Sequence, residues 1–325
     1  MEIGLFTAHE EYSPSTLLEH ASLAEEHGFD TVWTSDHIHP WWHTDAQCGA
    51  AFPWLGAALE RTDRVKMGTG VTPPIARYHP GMIAQVFATL GAMYPGRPFV
   101  CIGTGESMNE VPLGYEWPEY GERRKRLIDA CEIITQLWDG GFLDYDGHYW
   151  TTNSLNLYTL PDERVPLYIA ANGPMSAGVA GRYGDGLLTI VDIDRYENVL
   201  VPAIEKGAGK AGRDPDDVKR IRQLLVSYDP DDYQAALEAT GFWRGVPAVG
   251  FDEEIPDPRD IEEEGRKMAL EEMTDMWTVT TEPADVLQAV EASKAAGFDE
   301  VEIHSASPSE QEFIEMMSDE VLPHV

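Results

Sequence analysis

The sequence has few cysteines and lysines and no long apolar run. Its three cysteines, Cys48, Cys101 and Cys131, are an odd number without the spacing of a metal site. We therefore expect reduced thiols in a cytoplasmic protein. No run approaches the roughly 20 apolar residues that span a bilayer, and no charged-then-apolar leader precedes the first predicted strand. These absences disfavour a membrane or secreted protein.

Basic residues are also scarce. The chain has 57 acidic and 23 basic residues, of which 7 are lysine and 16 arginine, and its net charge is −34. Nucleic acid and anionic membranes would repel such a chain, so neither is expected as a partner. The acidic residues are scattered instead of forming one tail. This pattern predicts a halophilic protein that stays soluble in molar salt, where the Debye length is about 3 Å.

Short apolar segments followed by helical patterns recur along the 325 residues. In the first helix, Ser13 caps the start, Pro14 lies in the first turn and Gly28 ends it. About eight such units predict a single domain, 1–325, with an α/β fold: a (β/α)8 TIM barrel with insertions. A doubly wound sheet is the alternative, but no glycine fingerprint follows the first strand. Strands are predicted at 2–7, 31–33, 65–71, 99–103, 167–171, 187–190 and 222–226 and within 296–304.

Two segments interrupt this repeat. Residues 144–150 contain Asp-Gly between polar and aromatic residues, which predicts a hairpin with a tight turn. Residues from about 247 to 275 hold a dense acidic stretch. We expect a solvated insertion that covers the late strands, and a lid over the barrel mouth is the alternative.

The loop after the second strand has an unusual composition. Residues 35–43 read Ser-Asp-His-Ile-His-Pro-Trp-Trp-His, with one carboxylate, three imidazoles and two indoles. Aromatic rings are costly to expose, so we expect something to cover them. In barrel folds, loops at the carboxyl ends of strands carry the chemistry. This loop is therefore a candidate active-site segment.

Other strands end in unusual loops at the same predicted rim. The third strand enters Thr72-Pro73-Pro74, the fourth enters 103–110, and the strand at Leu167 enters 170–174 at a helix start. A titratable pair, His37 and Glu106, is predicted to face a shared pocket. Backbone N–H groups at the helix start offer an anion site. Together these features suggest a phosphate-bearing cofactor.

Each feature also has a simpler interpretation. His37, His39 and His43 are possible zinc ligands, but their spacing matches no standard site and Pro40 breaks helical alignment. We therefore predict no metal. The tryptophans can be rim packing, and Glu106 can be a helix cap. The prediction of an active site rests on the occurrence of all these residues at one predicted rim of the barrel.

Three sequence segments, 35–41, 103–110 and 170–174, resemble those of the bacterial luciferase-like superfamily. More narrowly, they resemble its branch that uses the deazaflavin coenzyme F420. The phrases 85–90 and 93–97 are similar to that branch as well. The resemblance runs from the first strand to the last helix and is weakest across the acidic insertion. It implies an F420-dependent oxidoreductase, with an FMN-dependent luciferase-like monooxygenase as an alternative.

The resemblance also implies roles for individual residues. His37 would be the catalytic base, Trp41 would wall the reaction space, and Glu106 would donate a proton to the coenzyme. Gly70-Val71 matches the place of a non-prolyl cis peptide that bulges against the deazaflavin. The other implied coenzyme-binding residues are Asp36, Thr104, Gly105 and Asn109 at the ring system, and Asn172, Gly173, Met175 and Ser176 at the phosphate-bearing tail.

The substrate is less defined by the resemblance. The branch's sugar-phosphate enzymes use cationic side chains, but the matching positions here are Ile190, Ile193, Asp252 and Met276. Phosphate without a cation would be poorly held, so the sequence favours a neutral secondary alcohol or an unphosphorylated sugar. An F420H2-dependent reductase of a larger unsaturated metabolite and a non-enzymatic deazaflavin-binding role stay open. Relatives suggest a homodimer.

Overall fold

The computed structural model describes residues 1–325 and contains eleven strands and thirteen α-helices. The strands are Glu2–Thr7 (β1), Thr31–Thr34 (β2), Lys66–Thr72 (β3), Pro98–Ile102 (β4), Leu143–Asp146 (β5), Thr151–Leu155 (β6), Leu167–Ala170 (β7), Gly186–Thr189 (β8), Lys219–Tyr228 (β9), Thr278–Thr280 (β10) and Glu300–Ser305 (β11). The helices are Pro14–Glu26 (α1), Ala51–Arg61 (α2), Pro80–Met93 (α3), Ser107–Glu110 (α4), Tyr120–Trp138 (α5), Pro174–Tyr183 (α6), Ile193–Arg195 (α7), Val201–Ala211 (α8), Tyr233–Ala239 (α9), Gly245–Val249 (α10), Pro258–Gly265 (α11), Pro283–Ala295 (α12) and Glu310–Met316 (α13).

The chain divides into two compact units. Met1–Val65 and Ile221–Val325 form the first unit, and Lys66–Arg220 forms the second. The parallel strands of the first unit lie in the order β10-β9-β11-β1-β2, and those of the second in the order β3-β4-β7-β8. Helices separate these strands along the chain. The predicted strands are all present within one to three residues, and the predicted (β/α)8 TIM-barrel fold is confirmed.

In the first unit, the contacts at both ends of α1 explain its predicted boundaries. The Ser13 side chain accepts a hydrogen bond from the Thr16 amide, and Pro14 occupies the first turn of α1. The apolar face of α1, Leu17, Ala21 and Ala24, is fully buried. Gly28 follows the helix at a φ of +95°, where glycine carries no Cβ penalty. The chain then turns directly into β2.

In the second unit, glycines let elements approach closely. A Cβ on Gly68 of β3 would lie 2.2 Å from the Phe99 carbonyl oxygen of β4. Helices α6 and α8 meet backbone to backbone, because a Cβ on Gly181 or Gly207 would lie 2.2 Å from a carbonyl oxygen of the opposite helix. This packing fixes the start of α6, where the sequence places an anion site.

The two interrupting segments are both structured. Strands β5 and β6 pair antiparallel around the Asp-Gly turn, which confirms the predicted hairpin. The acidic segment contains α11, and its carboxylates at 252–254 and 263–264 are exposed, as expected for a solvated insertion. Glu262 differs, since only 6% of it is exposed. Among the helices, none has both the length and the apolar character that crossing a membrane requires.

Candidate active site

In the first unit, the predicted catalytic loop follows β2 and is well covered. Asp36, Trp41 and Trp42 are 2%, 5% and 6% exposed, and the His37 side chain is 10% exposed. The Trp41 indole lies with its ring centroid 6.3 Å from that of His37. The expectation that the rings of this loop are covered is therefore confirmed for His37, Trp41 and Trp42, whereas it is wrong for His43, which is exposed.

His37 lies beside a carboxylate from the end of β1. Its Nδ1 is 3.5 Å from Glu10 Oε1 and 3.2 Å from the carbonyl oxygen of His39. The second Glu10 oxygen accepts a hydrogen bond from Ser35 Oγ at 2.5 Å. Because a carbonyl can only accept, Nδ1 carries the proton in the neutral ring, and Nε2 is the nitrogen that can accept one.

Glu10 is a candidate functional residue that the sequence reasoning missed. It is 2% exposed and contacts both Ser35 and His37 on the neighbouring strand's loop. Its position could have indicated it, because Glu10 lies three residues past the end of β1. In barrel folds, loops at the carboxyl ends of strands carry the chemistry. His9 and Glu11 on either side are also polar, so the sequence does not single out Glu10 among the three.

The three imidazoles of the loop do not gather around one point. Nδ1 of His39 lies 3.0 Å from the Pro256 carbonyl oxygen, and His43 is exposed. The structure contains no group of three or more His, Cys, Asp or Glu side chains arranged to hold a metal ion. The loop geometry instead gives His37 a carboxylate and an indole as neighbours.

In the second unit, the predicted ring-binding loops contact one another. The peptide bond between Gly70 and Val71 is cis, as the resemblance implied. Gly103 lies against Val71, and a Cβ there would be 3.1 Å from Val71 Cγ2. Gly105 has a φ of +70° and lies against Pro73, so a side chain is disfavoured on both counts.

Glu106 and Asn109 form a short turn at the start of α4. The Asn109 side-chain amide donates to Glu106 Oε2 at 2.9 Å, and its backbone N–H donates to the Glu106 carbonyl at 3.1 Å. Asn109 is fully buried, whereas Glu106 is partly exposed. The turn therefore presents a partly accessible carboxyl group whose rotamer is restrained by an amide.

Arg123 supports the same loop and was not found from the sequence. Its Nη1 lies 3.4 Å from the carbonyl oxygens of both Thr104 and Gly105, and its Nε donates to the Pro118 carbonyl at 3.0 Å. The guanidinium lies 4.2 Å from the centroid of the Trp117 ring. In the sequence, Arg123 stands in a charged run, 122–126, that reads as an ordinary solvated helix face.

The predicted tail-binding residues lie at the start of α6. Gly173 caps the helix, and a Cβ there would meet nothing within 4 Å, so the approach to the first amides is open. Met175 is 54% exposed, and Ser176 Oγ is 2.7 Å from the Tyr120 hydroxyl. The Asn172 side-chain oxygen accepts from Thr189 Oγ1 at 3.1 Å. An open helix N-terminus with a fixed hydroxyl suits an anionic group.

Several titratable groups are buried near the carboxyl ends of β1 and β11 in the first unit. Burial raises the pKa of Glu11 to about 8, although a hydrogen bond from Trp243 opposes the shift. Burial likewise raises the pKa of Glu310 to about 8. The pKa of His304 falls to about 3 for the same reason. At pH 7 these three groups are therefore mostly neutral.

Comparison with known proteins identifies the family. The Luciferase-like monooxygenase family matches residues 1–300, and the chain belongs to it. The chain is 40% identical to the F420-dependent glucose-6-phosphate dehydrogenase of Microbacterium testaceum (strain StLB037), over 100% of this chain and 97% of that protein. It is 37% identical to the protein of the same name from Nocardia farcinica (strain IFM 10152), over 100% and 98%.

Solved structures agree with this assignment. An F420-dependent secondary alcohol dehydrogenase, in complex with an F420-acetone adduct, matches with a TM-score of 0.94 at 38% identity. The match covers 99% of this chain and 98% of that one. The coenzyme F420-dependent tetrahydromethanopterin reductase from Methanopyrus kandleri matches with a TM-score of 0.82 at 23% identity, over 99% of each chain, which supports the fold alone.

Proposed function

We propose that this protein is a coenzyme F420-dependent dehydrogenase that transfers hydride between a neutral alcohol or sugar and the deazaflavin. The observation that carries the proposal is the His37–Glu10 pair, because oxidation of an alcohol requires a base for the hydroxyl proton. The full-length relatives, named as F420-dependent dehydrogenases, support the choice of coenzyme. Bound F420 supplies the hydride acceptor, and the protein supplies orientation and proton handling.

In this proposal His37 Nε2 accepts the hydroxyl proton of the substrate. Glu10 orients the ring through Nδ1 and favours the protonated imidazole that forms. Trp41 excludes water beside the ring, and Glu106 holds the proton that balances charge on the reduced coenzyme. Replacing Glu10 or Glu106 with glutamine separates the roles of the two residues, because glutamine keeps the side-chain shape and removes the charge.

The remaining predicted residues would bind the coenzyme. The loops with Gly70, Val71, Thr104, Gly105 and Asn109 fit a planar ring system, since they combine glycines with a buried amide. Asn172, Gly173, Met175 and Ser176 fit an anionic tail at an open helix start. Asp36 would also contact the coenzyme, as the resemblance implies.

The proposed substrate is unphosphorylated. The resemblance matches Ile190, Ile193, Asp252 and Met276 to the places of cationic side chains in the sugar-phosphate enzymes, and none of these four residues is basic. Arg195, two residues past Ile193, donates its Nε to the Asn172 carbonyl at 3.1 Å, so it contacts the proposed tail loop. The relatives named as glucose-6-phosphate dehydrogenases make glucose 6-phosphate the direct competitor to test.

The decisive experiment is a titration of the purified protein with oxidised F420 in molar salt. The coenzyme's visible absorbance is then followed with secondary alcohols, glucose and glucose 6-phosphate. Bleaching with a neutral alcohol or glucose is the expected result. Preference for glucose 6-phosphate would contradict the substrate class, binding without bleaching would favour a reductase or a sensor, and bound FMN would favour a monooxygenase.

We also propose that the protein is a halophilic, cytoplasmic homodimer. The net charge of −34 supports the salt requirement, and three cysteines that form no disulfide support a cytoplasmic location. The homodimer is what the resemblance to the family implies. Light scattering after size exclusion in 2 M KCl, chosen as roughly molar salt, tests the dimer. Thermal unfolding across KCl concentrations tests the salt requirement, and a melting temperature that falls with added salt would contradict it.

A further inference from the structure

The acidic segment of the first unit contacts the loop that carries His37. Trp41 packs edge-to-face on Phe251 with centroids 5.6 Å apart, and a Cβ on Gly245 would lie 2.3 Å from the Trp41 carbonyl oxygen. Nδ1 of His39 lies 3.0 Å from the Pro256 carbonyl. The segment therefore lies directly against the loop at several points.

The strongest of these contacts is made by Glu262 of α11. One carboxylate oxygen accepts the backbone N–H groups of His43 at 3.0 Å and Thr44 at 2.8 Å. The other accepts the Thr44 hydroxyl at 2.8 Å and Nε of Arg266 at 2.9 Å. Glu262 is 6% exposed. We call this set of contacts the Glu262 clamp.

Trp42 extends the clamp with two cations. The centroid of its ring lies 5.4 Å from the guanidinium carbon of Arg244 and 5.2 Å from that of Arg266. A Cβ on Gly265 would lie 2.8 Å from the Trp42 ring, so the end of α11 touches the indole directly. Arg266 therefore joins the two parts, since it contacts both Glu262 and the Trp42 face.

We propose that Glu262 is a positioning residue, which fixes the end of the 35–43 loop and thereby sets the orientation of His37 and Trp41. The inference rests on the proposed function, because the loop matters for catalysis only if His37 is the base. A buried carboxylate that accepts three donors from the loop end restrains that end far more strongly than exposed contacts do. A catalytic loop displaced by 1 Å can lose about 100-fold in rate.

Two variants test the clamp. Glu262→Gln keeps the side-chain shape but removes the charge and leaves an amide N–H facing the loop donors. Thr44→Val removes one clamp contact and leaves Glu262 unchanged. The matched control is Glu263→Gln, on the next and exposed position of α11. Because Gln and Val are close in size to the residues they replace, the variants are expected to fold.

The first readout is hydrogen–deuterium exchange of the 36–44 segment without coenzyme. The His43 and Thr44 amides should exchange about 10-fold faster in Glu262→Gln, less than that in Thr44→Val, and at the wild-type rate in Glu263→Gln. This readout needs no F420, so it tests the clamp even if the proposed function fails. Unchanged exchange in Glu262→Gln would overturn the clamp.

The second readout is kcat per F420-binding site, measured with the alcohol that gives bleaching in the F420 experiment. In Glu262→Gln, kcat should fall about 10- to 100-fold, and the primary isotope effect with the deuterated alcohol should stay at or above the wild-type value. A role in folding alone would lower the number of F420-binding sites but leave kcat per site unchanged. Faster exchange with unchanged kcat per site would overturn the positioning role while leaving the proposed function intact.

Discussion

His37 in the first unit and Glu106 in the second have opposite surroundings. His37 has a carboxylate beside Nδ1 and a carbonyl that fixes its tautomer, whereas Glu106 accepts a hydrogen bond from a neutral amide. The Glu10 carboxylate places a negative charge beside the imidazole, while the Asn109 amide orients the Glu106 carboxyl group. The comparison predicts that proton acceptance by His37 depends on charge, whereas proton donation by Glu106 depends on geometry.

Removal of His37 should have the largest effect. We expect His37→Ala to lower kcat by about 10³-fold, within the range for loss of a general base, and to leave F420 binding intact because most proposed coenzyme contacts lie in the second unit. The measurement is F420 bleaching with the preferred alcohol, alongside fluorescence titration of F420. The partly exposed His27, which lies outside the proposed site, gives the control variant His27→Ala. Normal turnover in His37→Ala would refute the mechanism.

Glu106→Gln should have the second largest effect. Glutamine keeps an acceptor for the Asn109 amide but cannot deliver a proton, so kcat should fall about 100-fold. The dissociation constant of F420 should change little, because the loop geometry is preserved. The exposed Glu116→Gln serves as the control. A variant with full kcat would remove Glu106 from the reaction and leave it as a helix cap.

The sequence predicted the strands well because they alternate with helices, and because β2, β8 and β11 each follow a glycine turn. Its loops at the strand ends selected His37, Glu106 and the α6 start, since those segments combine unusual side chains with a fixed place in the fold. The partners of these residues were harder to find. Glu262 lies 218 positions from Thr44, and no local pattern marks such a contact.

Glu10→Gln tests whether the charge beside His37 in the first unit matters for the reaction. The carboxylate lies 3.5 Å from His37 Nδ1, so loss of its charge should remove roughly 1.5 kcal/mol of favourable interaction, or about 10-fold in kcat. The F420 dissociation constant should not change. Ser35→Ala is the comparison variant, because it removes the hydrogen bond from Ser35 to Glu10 while the Glu10 charge remains. If Ser35→Ala is the more damaging variant, Glu10 is a structural residue only.

Buried carboxyl groups away from His37 should influence stability instead of rate. Glu310 is buried, its pKa is raised to about 8 by burial, and the Glu11 carboxyl contributes to that shift. Between the ordinary value of 4.5 and about 8, the folded protein holds a proton that the unfolded chain releases. Rising pH therefore lowers the stability of the folded state across that window, and the loss is complete above pH 8.

Glu310→Gln removes this titration, so the variant should gain stability relative to wild type as the pH rises. Near pH 5 the two proteins should unfold alike, and at pH 7 the variant should be more stable by about 1 kcal/mol, since a shift of one pKa unit corresponds to about 1.4 kcal/mol and relaxation reduces the effect. Denaturant unfolding at several pH values in molar salt measures it, because salt screens the surface charges and leaves the buried group. Glu312→Gln, exposed on the same helix, should show no such trend. A gain that is equal at pH 5 and pH 8 would mean that Glu310 is ionised in the folded protein, and that the first unit holds charge at this position as it does at Glu10.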